Sequence, residues 1–188
     1  MKSRLVRLYL DSRQSTRALV LVVAIAVALR ISRPWTSGTG VVAQVLLLLL
    51  TLAAGAAIAA STQTPFGEAE QGNRLPALRL IHVGGLFVAA AGTCTLAAGP
   101  AVLRDLAGLT GLTQLTAVII GAKFAWTFPL GYVLVCGGEL DLRETSLWTW
   151  PTLPGDDPRA AAIALVLFGV GLVTTSYANP ERALRAHA

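Results

Sequence analysis

Long apolar runs separated by short charged clusters constrain this chain more than any other feature. VVAQVLLLLLTLAAGAAIAA, residues 41–60, holds no charge, and it is followed at once by STQTPFGEAEQGNRLPALRL, residues 61–80, with two carboxylates and two arginines. A soluble domain mixes its charges over its whole surface and carries roughly 25% charged residues. Here only 13% are charged and 54% are hydrophobic. The mean hydropathy is +0.65. Segregated charge with uncharged runs of span length predicts an all-α, polytopic integral membrane protein. A length of 188 residues holds about six spans of roughly 20 residues with short connections.

Reading along the chain, residues 1–17 carry Lys2, Arg4, Arg7, Arg13 and Arg17 among Leu5, Val6, Leu8, Tyr9 and Leu10. Leu5, Leu8 and Tyr9 share one helical face, which predicts a basic amphipathic helix lying in the headgroup layer. A disordered basic tail is the alternative. The run that follows ends in Arg30 and Arg33 rather than at a small-residue cleavage site, so this start is expected to be retained. The transmembrane domain is expected over 18–178, with spans near 18–35, 41–60, 80–99, 106–122, 124–138 and 160–177. Pro100 marks a break, with Arg104 and Asp105 beyond it. Lys123 and Trp126 are expected at the interface between the fourth and fifth spans, although one tilted or re-entrant segment is an open alternative there. Residues 179–188 form a short tail.

Six spans put both termini on one side, together with the 61–80 loop and Lys123. Of the 15 basic residues, that side receives ten: Lys2, Arg4, Arg7, Arg13, Arg17, Arg74, Arg79, Lys123, Arg182 and Arg185. The other side receives five: Arg30, Arg33, Arg104, Arg143 and Arg159. The positive-inside rule therefore predicts cytoplasmic termini. The net charge of +5 is a topology signal on this reading, and no basic face interleaved with aromatics points to nucleic acid. A bias to Ala, Leu, Gly, Val and Arg with two lysines suggests a GC-rich bacterial genome, hence a bacterial plasma membrane.

Several chemistries lack their motifs. No GxxxxGK[ST] loop is present to hold a nucleotide, and no HExxH, GxSxG or Cys/His constellation. No cofactor and no catalytic residue is nominated, and the chain is read as not itself an enzyme. Cys94 and Cys136 are expected as small buried side chains. His82 is expected as an interfacial or helix-packing histidine rather than a ligand, and Lys123 is expected to snorkel from a turn.

What remains is an arrangement: a basic amphipathic start, a charged turn-rich cytoplasmic loop between spans two and three, and a polar, aromatic segment with Trp148 and Trp150 before the last span. Those aromatic rings are expected at the outer headgroup level. This arrangement resembles the permease subunit of type-2 ABC exporters, and PFGEAEQGNRLPALRLIHV resembles the equivalent region of small actinobacterial membrane proteins assigned to such systems. The resemblance implies a coupling helix in the 61–80 loop that docks on a separate cytoplasmic ABC ATPase. It also implies a re-entrant hairpin before the sixth span, and pairing with a second permease copy or a homologous permease. Phe66, Glu68, Glu70 and Arg74 are the candidate coupling residues, Pro65 and Gly67 can set the turn, and Arg74 and Arg79 can anchor it to anionic headgroups. The competing reading is a non-transporting membrane scaffold or accessory protein that assembles through small-residue helix faces.

Overall fold

A computed structural model describes residues 15–36, 41–62, 75–139 and 147–177. All regular structure among them is helical: α1 (Ser15–Thr36), α2 (Val41–Thr62), α3 (Leu75–Ala98), α4 (Ala101–Ile120), α5 (Thr127–Glu139) and α6 (Pro158–Tyr177), with 3-10 helices at Ala122–Phe124 and Leu147–Thr152. Three stretches are long and apolar enough to cross a membrane: Val41–Ser61, Arg79–Ala98 and Pro158–Tyr177. Thr127–Gly138 in α5 is apolar but shorter. Buried residues make up only 39%, 33% and 28% of the three long stretches, and Val42, Ile81, Val88, Leu96, Leu165 and Val173 are among their exposed apolar side chains. The expected amphipathic helix at 1–17 lies outside the described residues up to position 14, and Thr16 and Arg17 belong to the first turn of α1. The 179–188 tail also lies outside them.

Consecutive helices alternate in direction. At one end the close of α2 meets the start of α3, where Ser61 Oγ lies 3.3 Å from His82 Nε2. The close of α6 joins them, as Arg79 Nη1 of α3 donates to the Thr175 carbonyl at 3.5 Å. At the other end the start of α4 meets the segment before α6, and Gln44 near the start of α2 donates to the Thr152 carbonyl at 3.5 Å. The turn from α3 to α4 is only two residues long. Gly99 adopts φ +100°, a left-handed conformation that a Cβ would strain, and its N–H closes α3 on the Thr95 carbonyl at 2.8 Å. Pro100 then opens α4. Arg104 and Asp105 therefore fall in the first turns of α4 rather than in a loop, because helix resumes directly after this break.

Three apolar clusters fill the interior. Ala18 and Val22 of α1 pack with Ala54 and Ile58 of α2 and with Val83, Leu86 and Ala90 of α3. Toward the other end Ala26 and Leu29 meet Cys94, Ala97 and Val102. The third cluster joins Leu48, Leu52, Leu109 and Val133 to Trp150, Ala160 and Ala164. Between α3 and α6 the Phe87 and Phe168 rings stack with centroids 4.2 Å apart. The closest helix pair is α4 with α6. A Cβ added at Gly111 would stand 2.3 Å from the Leu167 carbonyl oxygen, and one at Gly171 would stand 2.5 Å from the Gly111 oxygen. Small residues admit this approach of backbone to backbone.

Candidate functional site

The nominated coupling residues Phe66, Glu68, Glu70 and Arg74 lie outside the described residues, as does everything else in 63–74. The structure does describe the two roots of that segment. Ser61 ends α2 with its hydroxyl donating to the Ile58 carbonyl at 2.7 Å, which leaves its oxygen able to engage His82. His82 is buried, one turn above Arg79, which favours the helix-packing alternative over the interfacial one. Arg79 reaches α6, and Thr175 of α6 donates in turn to Gln114 Oε1 of α4 at 2.9 Å. Both side chains of that last bond are buried, Gln114 at 1% exposure. A polar chain thus runs from the roots of the 63–74 segment through α6 to α4.

Gln114 belongs to a polar stripe on the most enclosed helix. Thr110, Thr113, Gln114 and Thr116 are all buried. Thr113 donates back to the Leu109 carbonyl at 2.6 Å and Thr116 to the Leu112 carbonyl at 2.8 Å. Such bonds satisfy a hydroxyl within its own helix. The stripe faces other helices rather than the outside, so α4 is the interior element on which α2 and α6 close.

The opposite end is locked by one guanidinium. Arg104 Nε donates to Asp105 Oδ1 at 2.9 Å, Nη1 to the Pro154 carbonyl at 2.6 Å and Nη2 to the Pro151 carbonyl at 3.2 Å. The side chains of the pair are 8% and 7% exposed. A planar guanidinium can serve three acceptors at once in a way an ammonium cannot. The effect is to pin the irregular 147–157 backbone onto α4. Trp150 is 3% exposed and its ring fills the space over Gly108, where a Cβ would fall 2.1 Å from Cη2. Trp148 is 47% exposed. The two tryptophans expected together at the headgroup level therefore part company, since Gly108 opens a socket for one and none for the other. Asp157 then caps α6, its Oδ1 accepting from the Arg159 N–H at 2.7 Å and the Ala160 N–H at 3.3 Å.

Lys123 is exposed in the short 3-10 turn between α4 and α5, 5.8 Å from the Phe124 ring centroid. Trp126 Nε1 donates to the Lys123 carbonyl at 3.2 Å. Cys94 and Cys136 are both fully buried. The Arg104 clamp and the Gly111–Gly171 contact were not legible as sites in the sequence. An adjacent Arg–Asp pair at the head of an apolar run, with prolines some 50 residues later, was the available signal for the first.

Comparison with protein-family models, with curated proteins and with solved structures finds no match to this chain.

Proposed function

We propose that the chain is a six-span integral protein of a bacterial plasma membrane and the membrane-spanning subunit of an ABC-type export system. Its termini and the 61–80 loop face the cytoplasm, where that loop receives a separate ATPase. The observation that carries this reading is the polar chain from the loop's roots. Ser61 and His82 join the roots, Arg79 carries the contact to Thr175, and Thr175 carries it to Gln114 in the interior of α4. A push on the loop has a bonded route into α6 and α4. The alternation of the six helices and the exposed apolar side chains of α3 and α6, among them Ile81, Val88, Leu96, Leu165 and Val173, agree with a bilayer around the bundle. A second permease copy, or a homologous one, would complete the pathway on this reading.

The test is co-purification in mild detergent from the native host, comparing wild type with Glu68→Lys/Glu70→Lys. An ATPase that accompanies wild type and is lost on charge reversal is the expected result. A well-folded wild type that brings no nucleotide-binding partner sinks the transport reading.

The scaffold reading has its own supporting observation. Gly85 and Gly92 sit on the exposed side of α3, and an added Cβ at either would meet nothing within 4 Å. Two outward glycines a heptad apart would let another helix approach closely. Loss of a membrane partner on Gly85→Leu/Gly92→Leu, with no ATPase in the wild-type complex, would favour that reading.

A further inference from the structure

A shallow groove of about 580 Å³ runs along the outer side of α5, lined by Thr127, Phe128, Gly131, Tyr132, Val135 and Trp148. Its polar groups are turned to the protein. The Tyr132 hydroxyl donates to the Trp148 carbonyl, and the Thr127 hydroxyl donates to the Phe124 carbonyl at 2.7 Å. What faces outward is carbon. The Tyr132 and Trp148 rings stand 6.4 Å apart as one wall, and Phe128 is 61% exposed. The floor is Gly131, where an added Cβ would meet nothing within 4 Å.

Among the described residues, a charged side chain stands just beyond the Thr127 end of the groove. Lys123 is exposed just before α5 and makes no ion pair among the described residues. It stands four residues before Thr127, the first residue of a 13-residue helix, whose N-terminal dipole end also favours negative charge. From Thr127 to Val135 the groove follows α5 for about 12 Å at 1.5 Å per residue. One leaflet of hydrocarbon is about 15 Å deep. Charge at one end and an apolar trough of one-leaflet length match a single molecule type.

We propose that this groove holds an acyl chain of an anionic glycerophospholipid from the leaflet on the Lys123 side, with its phosphate at the Lys123 ammonium. The proposal rests on the reading of the chain as a bilayer-spanning protein. A zwitterionic lipid offers the same chain, but its own cation competes with Lys123. The anionic lipid is therefore favoured about fivefold, equivalent to about 1 kcal/mol for one lysine near an anionic surface.

The experiment uses the full chain in phosphatidylcholine vesicles with a minor fraction of phosphatidylglycerol. Bromine is carried on the acyl chains of one lipid or the other, at equal mole fraction of the brominated species. Quenching of tryptophan fluorescence is read from Trp148 at the groove. Brominated phosphatidylglycerol is expected to quench several-fold more than brominated phosphatidylcholine, and Trp148→Phe should remove the excess. Gly131→Leu, whose Cβ meets nothing within 4 Å, fills the floor and should bring the two lipids to equality, as should Lys123→Gln. Equal quenching by both lipids in wild type overturns the lipid site and leaves the membrane reading intact. No quenching by either overturns the membrane reading itself. Wild-type selectivity retained in Lys123→Gln overturns the assignment of the headgroup, and this variant serves even where Gly131→Leu fails to fold.

Discussion

Replacing Gly111 by alanine puts the α4–α6 contact to a quantitative test. The added Cβ would lie 2.3 Å from the Leu167 oxygen, 2.4 Å from the Leu167 carbonyl carbon and 2.5 Å from the Phe168 nitrogen. Ordinary contact begins at about 3.5 Å, so the deficit is about 1 Å. Every atom met is backbone, and no rotamer change relieves it. The two helices must move apart, which disturbs the Phe87–Phe168 stack and the Gln114–Thr175 bond as well. Overpacking of this kind costs about 1–3 kcal/mol, and the rigidity of both partners sets the expectation at the upper end. Gly169→Ala on α6 is the control, because its Cβ meets nothing within 4 Å. There the gain in helix propensity, up to about 1 kcal/mol, is unopposed. The two variants should differ by about 3 kcal/mol, or roughly 6–12 °C in thermal midpoint for a chain of this size. Gly55→Ala, with its Cβ 3.1 Å from Thr110, should fall between them. Thermal unfolding in one detergent, followed by circular dichroism, reads the order. If Gly111→Ala melts with Gly169→Ala, the backbones of α4 and α6 do not approach as described.

Two further outcomes follow from the opposite end of the bundle. Arg104→Met strips Asp105 of its partner at 5% exposure and should cost about 3–5 kcal/mol. Adding Asp105→Asn should recover part of the loss, and an Arg104→Met midpoint equal to wild type would refute the clamp. Gly108→Ala drives a methyl against the Trp150 ring and should destabilise wild type by about 1–3 kcal/mol. It should do little in a Trp150→Leu background. Equal effects in the two backgrounds, measured as a thermal double-mutant cycle, would show that the residues do not touch.

The helices of this fold were legible because an apolar run has one simple physical outcome. The 41–60 run became α2, and Pro100 announced the α3–α4 turn. The sequence also carried the Lys123 turn, since a lone lysine between two apolar stretches needs an exit to polar surroundings. Other features were hidden because their meaning is set by distant residues. Arg104 and Asp105 looked like surface charges, and only the carbonyls of Pro151 and Pro154 make them an interior lock. Trp148 and Trp150 are two residues apart and equivalent as text. The space over Gly108 separates them. Gly111 and Gly171 were two among 18 glycines, and nothing local distinguishes a glycine that meets another backbone from one that faces outward. Phe66, Glu68, Glu70 and Arg74 lie outside the described residues and are candidates on their sequence pattern alone.

The bond between Thr175 and Gln114 joins residues 61 positions apart, and that separation has a meaning for biogenesis. As the ribosome delivers the chain, α4 emerges with its threonines, Gln114 and the bare backbone of Gly111 well before α6 exists to cover them. Its nearest neighbour in time is α3, joined through a turn too tight to let the two enter separately. On the proposed reading of a bilayer-spanning chain, the pair would enter the membrane as one hairpin, with the more apolar α3 carrying its polar companion. The nascent protein holds an unfinished seam along α4 until α6 arrives to close it.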